Sequence, residues 1–386
     1  MIYLDNNSTT QIDKEINELI YETNERFYGN PSSNSGIGKQ SRDLIEKARA
    51  DIGEYLGCER RKLFFTSSAT ESNNFVFYNI ASNLHIKTFT KKKIIISAIE
   101  HPSVLKIAES LKEQGLDVDY ASVDRNGVVI VEEIRKKIDE NTLLVSVMAA
   151  NNETGVCQPI EEIAEITASA GAMFHTDATQ FLGKSLRASG INFKNISFLS
   201  ASAHKIHGPK GVGVMYCGVG FDKINPMILG GGQEFGLRSG TENISGIGGM
   251  GAAFSRISED GIRKMSFLRD EFENLLKDSE NTTLFNGKSV ERIANTSNLS
   301  FLNAEGEALV TLLASDGVVV STASACSSKK LEPSHVLQAM KVPKRFINNT
   351  VRISISNWTR SYELDVATRS LRKNILRLNR TSPLNI

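Results

Sequence analysis

Cysteine is scarce in this sequence. Four occur in 386 residues, Cys58, Cys157, Cys217 and Cys326, and none lies within four positions of another. The CxxC pairs of zinc and dithiol redox sites are therefore missing, and no metal is expected. Scattered thiols argue against a disulfide framework and for a reducing compartment. Charge of one sign is also missing. The formal net charge is +1, so no global field recruits nucleic acid, acidic partners or a membrane surface. The basic stretch Lys91–Lys93 and the C-terminal Arg372, Lys373, Arg377 and Arg380 read as solvated faces, and no direct nucleic-acid binding is expected. Long apolar runs are absent. The longest, around Leu143–Ala150, is far too short for a bilayer. The opening MIYLDNNSTT has neither the basic start nor the apolar run of a signal peptide. The expectation is a cytoplasmic protein without membrane attachment.

What is present is an alternation of short apolar runs with amphipathic stretches. Leu63–Thr66, Ile94–Ala98, Val118–Ser122, Leu143–Ala149, Met173–Thr176, Ile196–Ser200 and Val212–Tyr216 read as strands. Ser41–Leu56 places apolar residues near a 3.6 period, and Pro102–Gln114 and Pro159–Ser169 begin on proline, a frequent first helical residue. Such alternation implies an α/β fold with a mainly parallel sheet covered on both faces. The pattern changes near residue 260. A charged helix, Arg263–Lys277, leads into strands near Thr296–Phe301, Val318–Ser321 and Val351–Ile355 and helices near Gly306–Ser315 and Tyr362–Asn379. This predicts a large domain over 15–259 and a smaller α+β domain from 260–386, joined by 1–14. The glycine clusters Gly230–Gly232 and Gly248–Gly251 read as local loops or close-packing points.

Ligands of an open parallel sheet sit beyond the carboxyl ends of its strands. Polar residues gather at five such ends: Thr66–Glu71, Glu100 with His101, Asn151–Glu153, Asp177–Gln180 and Ser202–Lys205. Their chemistry is complementary. A lysine amine such as Lys205 can form a Schiff base with an aldehyde cofactor. Asp177 can hold a pyridine nitrogen protonated. His101 can stack on a ring and move protons. Ser67, Ser68, Ala69 and Thr70, before a helical run, suit a phosphate, with Ser202 and His204 able to add to the cradle. Taken singly, each has an ordinary structural reading as a cap or a solvated side chain. Together they indicate an anionic ligand without deciding which one.

The strings YLDNNSTT, YGNPSS, FTSSATESNN, EHPSV, NNETG, FHTDATQ, SAHKIHGPKG, GGGQE, RSGTEN and SASAC–LEPSHV narrow the choice. They resemble, in order and over nearly the whole chain, the cysteine desulfurase family within the class V aminotransferase group. The resemblance implies a type I pyridoxal phosphate (PLP) fold and a homodimer with the cofactor near its interface. It implies that Lys205 carries the cofactor, that Asp177 meets the pyridinium and that His101 stacks on the ring. Asn152 and Gln180 match residues near the ring and its hydroxyl. Ala69, Thr70, Ser202 and His204 match the phosphate cradle, and Thr241 matches a threonine reaching the partner subunit's phosphate. Arg352 looks like the arginine that grips the substrate carboxylate, a task suited to a planar guanidinium.

Cys326 stands apart from the other cysteines. Its neighbours Thr322, Ala323, Ser324, Ser327 and Ser328 could not bury it well, and Lys329 and Lys330 favour its thiolate. Cys58, Cys157 and Cys217 read as small buried hydrophobes. The resemblance makes Cys326 the nucleophile. L-Cysteine would lose its α-proton to Lys205, the Cys326 thiolate would attack the substrate sulfur, and alanine and a Cys326 persulfide would result. The spacing from Cys326 to Leu331-Glu332-Pro333 resembles the long-loop subgroup, which hands sulfur to scaffold or carrier proteins. Iron–sulfur cluster assembly, tRNA thiolation and a specialised sulfur pathway all remain open as destinations, and selenocysteine is a further candidate substrate. The chain departs from the family pattern at Ser8 and Gln11 (usually alanine and proline), Asn34 (often histidine), Phe235 (usually arginine), and Asn357 and Trp358 (often arginine and phenylalanine). Two other readings compete. One is a class V aminotransferase or lyase in which Cys326 is incidental. The other is a non-catalytic protein on the same scaffold.

Overall fold

A computed structural model of the chain describes residues 1–85, 91–277, 283–322 and 333–381. The two-residue strand β1 (Ile2–Tyr3) comes first. Seven strands then form the central sheet: β2 (Leu63–Thr66), β3 (Lys93–Ser97), β4 (Asp117–Ala121), β5 (Thr142–Ser146), β6 (Met173–Asp177), β7 (Phe198–Ser202) and β8 (Gly213–Cys217). Their order is β2-β8-β7-β6-β5-β3-β4. Every pairing from β7 through β6, β5 and β3 to β4 is parallel, while β8 runs antiparallel to both β7 and β2. The expected mainly parallel α/β sheet is present.

The strand sequences explain why helices cover both faces. Successive strand residues point to opposite sides, and here both sets are apolar. Phe65, Ile95, Val145, Phe174, Leu199 and Val214 join one buried cluster. Their neighbours Phe64, Ile94, Ile96, Leu144, Phe198 and Met215 join another. Strands buried on both faces need helices on both sides. Gly36–Leu56 is one of these. Ser35 caps its start, and Gly57, in the left-handed region at φ 71°, ends it.

Several element bounds shift by a few residues from the sequence reading, and three differences have a local cause. The strand expected at Ile196–Ser200 begins at Phe198, because a short 3₁₀ turn occupies Phe193–Asn195 and Ile196 closes it. Pro159 precedes the helix Ile160–Ser169 instead of opening it. Gly248–Gly251 form no loop. They lie inside the helix Ile244–Ser255, and a Cβ on Gly251 would sit 2.6 Å from the Ala48 Cα of the neighbouring helix. The close-packing half of that expectation holds.

The later part of the chain has its own sheet and core. It contains β9 (Thr283–Phe285), β10 (Thr296–Phe301), β11 (Val318–Val319), β12 (Ser321–Thr322) and β13 (Thr350–Ser354). β12, β13, β10 and β9 form an antiparallel sheet in that order. β1 pairs in parallel with β11, so the N-terminus joins this part of the molecule. Leu4, Leu299, Phe301, Val351 and Ile353 pack there against Leu268, Phe272, Leu309, Leu313, Leu364 and Leu371 from the helices Glu259–Leu275, Gly306–Ser315 and Ser361–Thr381. Among the described residues no helix is long and apolar enough to cross a membrane.

Candidate active site

A cavity of about 620 Å³ opens beyond the carboxyl ends of β2, β3, β5, β6 and β7. Its size is that of an ordinary small-molecule site. Ala69, Thr70, His101, Asn152, Asp177, Gln180, Ser202, His204, Lys205 and Arg352 all line it. The sequence reading placed each of them at a ligand site. Thr241 does not reach the cavity and is exposed. Cys326 lies outside the described residues.

Each wall follows from local structure. Lys205 ends a 3₁₀ turn directly after β7. Its Nζ donates to the carbonyls of Asn7, at 2.7 Å, and Ser8, at 2.6 Å. Asp177 closes β6 and is buried. Its carboxylate accepts from Asn73 Nδ2 at 2.8 Å and from the Thr179 N–H at 2.9 Å. Two neutral donors leave its charge uncompensated by these bonds, so it suits a cationic group in the cavity. His101 caps the helix Pro102–Glu113. Its Nδ1 accepts from the Ser103 N–H at 3.1 Å, which assigns the proton of the neutral ring to Nε2. Burial pushes the His101 pKa down; Asp177 pulls it up, and Lys205 and His335 add to the fall. His204 is likewise kept neutral: burial, then Lys205 and Lys184, push it down to about 4.

The helix Ala69–His85 begins at the cavity edge. Ser68 Oγ caps the Glu71 N–H at 3.2 Å, and the positive dipole end of the helix favours an anion beside Ala69 and Thr70. Arg352 comes from β13, across from the central sheet, and its guanidinium is buried. Nη1 donates to the Asn152 carbonyl at 3.1 Å; Nη2 donates to Asp5 Oδ1 at 2.7 Å and to Ser8 Oγ at 2.8 Å. Its Nε–H is buried with no partner, as is the Thr179 hydroxyl beside Asp177.

Several residues in or beside the cavity had no assigned role in the sequence reading. Asn7 joins both halves of the site. Its carbonyl accepts from Lys205 and Gln180, and its side chain meets Lys184, Thr296 and Asn295. Lys184 is 4% exposed and donates to Asn7 Oδ1 and Gln180 Oε1. Burial, with Lys205 and Arg352 nearby, pushes its pKa well below the usual lysine range. Glu153 accepts from the Ser334 hydroxyl at 2.5 Å, and burial raises its carboxyl to about 7 against the opposing pull of Ser334 and Arg352. His335 Nε2 meets the Glu100 carbonyl at 3.0 Å. Asn7, Ser8, Glu153, Ser334 and His335 all sit inside the quoted strings, which was the available signal. Lys184 carried none.

This donor set fits PLP. A buried carboxylate serves a pyridinium nitrogen, a helix start with flanking hydroxyls serves a phosphate, and a lysine on the same wall serves an aldehyde. Among the described residues no cluster of His, Cys, Asp and Glu suits a metal ion.

Comparison with known proteins agrees with this chemistry. The family model of the class-V aminotransferases matches residues 2–366. A cysteine desulfurase IscS of Methanosarcina thermophila is 40% identical over 387 residues, covering 99% of this chain and 94% of that protein. A solved NifS-like protein superposes with a TM-score of 0.87 at 37% identity, over 97% of this chain and 99% of that one. The protein SspA, solved in complex with cysteine, superposes with a TM-score of 0.80 at 30% identity, over 93% and 100% of the two chains. With its sheet, its strand-end lysine and its full-length likeness taken together, the chain belongs to the PLP-dependent cysteine desulfurase family of the class-V aminotransferases.

Proposed function

We propose that this protein takes L-cysteine, releases L-alanine and retains the sulfur as a persulfide on Cys326. The observation that carries the reading is the convergence of Lys205, Asp177, His101 and Arg352 on one cavity in a chain of this family. When bound, PLP supplies an electron sink next to the amino acid's α-carbon. The chain's own residues do the rest. Asp177 would hold a proton at the pyridine nitrogen, and neutral His101 would face the ring. Ala69, Thr70, Ser202 and His204 would hold the phosphate, while Asn152 and Gln180 would position the ring and its hydroxyl. Arg352 holds the substrate carboxylate. The Lys205 amine moves the α-proton. The Cys326 thiolate attacks the substrate sulfur, so an S–S bond forms as the Cβ–S bond breaks. The carbon takes up a proton, and the balance is thiol plus cysteine giving persulfide plus alanine.

Several finer points belong to the same proposal. Residues 15–259 hold the cofactor, and 1–14 with 260–386 carry the Cys326 segment; the separate core around Leu299 and Phe301 supports that division. The protein acts in the cytoplasm as a homodimer, and the exposure of Thr241 outside its own cavity suits a residue that serves the partner subunit's phosphate. The sulfur passes to an acceptor protein, for iron–sulfur assembly, tRNA thiolation or a specialised sulfur pathway.

The direct test is incubation of the PLP-loaded protein with L-cysteine and a thiol reductant. Alanine and sulfide should appear one for one. Pyruvate in place of alanine, or no sulfide, would instead favour an aminotransferase or lyase in which Cys326 is incidental.

A further inference from the structure

Ser8 stands where the family usually carries alanine, and it touches two chemically distinct parts of the site. Its carbonyl accepts from Lys205 Nζ at 2.6 Å, and its hydroxyl oxygen accepts from Arg352 Nη2 at 2.8 Å. A turn holds it in place, closed by the Ser8 N–H on the Asp5 carbonyl at 3.1 Å. Asp5 binds the same Nη2 at 2.7 Å. The Arg352 guanidinium is thus held by three partners, Asp5 and Ser8 on Nη2 and Asn152 on Nη1, and only 4% of the residue is exposed.

The hydroxyl adds something an alanine cannot. Its oxygen accepts from Arg352, so its own proton is left to donate. Ser8 lines the cavity beside Arg352. We infer that Ser8 is a specificity-determining residue, whose hydroxyl donates to the substrate's α-carboxylate alongside the Arg352 guanidinium. The inference deepens the reading above and rests on Arg352 as the carboxylate site. Asp5 already satisfies much of the guanidinium's charge. A second, neutral donor therefore strengthens recognition without burying another cation. The effect lies in binding: the carboxylate does not change charge when the sulfur leaves, so its contacts hold ground state and transition state alike.

The test titrates the PLP-loaded protein with L-alanine and, separately, with ethylamine, which lacks the carboxylate. Both are followed by the change in cofactor absorbance. Ser8→Ala should weaken L-alanine binding by about tenfold or more, the lower end of what one hydrogen bond to a charged group contributes. It should leave ethylamine binding unchanged, and Ser8→Thr should restore L-alanine binding. With L-cysteine, Ser8→Ala should raise KM and spare kcat. Arg352→Gln, measured in parallel, should lose at least as much L-alanine affinity as Ser8→Ala. Loss in Arg352→Gln with none in Ser8→Ala overturns the role of Ser8 alone. Equal losses for both ligands in Ser8→Ala also overturn it, since they mean a general disturbance of the cavity. No loss of L-alanine affinity in Arg352→Gln overturns the assignment of Arg352 beneath it.

Discussion

Replacing Glu100 by glutamine should make the protein more stable, and more so as pH rises. Glu100 is fully buried beside His101. Its Oε1 accepts from the Ser97 hydroxyl at 2.5 Å and the Met148 N–H at 2.7 Å, and its Oε2 has no partner. Burial pushes its pKa up from 4.5 to about 8; the two donors oppose the rise and Asp177 adds to it. The sign follows directly. Above pH 4.5 the unfolded chain releases this proton while the folded chain keeps it to about pH 8. Stability therefore falls with rising pH across that window and levels off beyond it. At 1.36 kcal/mol per pH unit the penalty is about 1 kcal/mol at pH 5.5, about 3 at pH 7 and about 5 at pH 8 and above. Glutamine keeps an acceptor for Ser97 and Met148 and never ionises. Its amide donors replace an equally unpartnered O–H, so that part of the balance changes little. Urea unfolding of wild type and Glu100→Gln at pH 5.5 and pH 8.5 measures the gap, which should widen by about 3 kcal/mol or more between the two. A gap independent of pH, or a variant less stable at both, would refute the reasoning.

Other consequences follow from equally specific contacts. Arg49 grips Glu234 through Nη1 and Nη2, both at 2.9 Å, and Glu234 also accepts from the Phe65 N–H at 2.7 Å. Both side chains are buried, so Glu234→Ala strips the guanidinium of its bidentate partner, leaves it only the half-exposed Glu46 at 3.0 Å and strands the Phe65 N–H; it should destabilise by about 3 kcal/mol, read as a lowered urea midpoint. Burial pushes the thiols of Cys58, Cys157 and Cys217 up to about 11, 12 and 12. Iodoacetamide at pH 7 should therefore alkylate Cys326 first, as peptide mass spectrometry would show; faster labelling of Cys157 or Cys217 would contradict this.

The sheet was legible because its strands are continuous apolar runs bounded by polar strand ends. That pattern marks both the element and the place where a ligand sits. The run Leu63–Thr66 and the helix Gly306–Ser315 lie where the sequence puts them. Local pattern failed where tertiary packing decides. Gly248–Gly251 look like a loop, yet they lie inside a helix, and the glycine at 251 answers a neighbouring helix that comes too close there for a Cβ. In the site, Lys205, Asp177 and His101 were readable at strand ends. Asn7 and Ser8 were not, because their importance comes from contacts with Lys205 and Arg352, some 200 and 345 positions away. Sequence spacing carries no trace of such pairs. Lys184 escaped for the same reason, and Glu153, though read at a strand end, gave no sign of its raised pKa, since both perturbations are products of burial.

The central claim is that Cys326 receives the sulfur. It is tested most directly by reacting the PLP-loaded wild type and Cys326→Ser with L-cysteine in the absence of reductant and weighing the intact protein. The wild type should gain one sulfur atom, located on the Cys326 peptide, with one alanine released per site. The variant should keep its cofactor absorbance, gain nothing and release no alanine. Alanine and sulfide from Cys326→Ser at the wild-type rate would contradict the account.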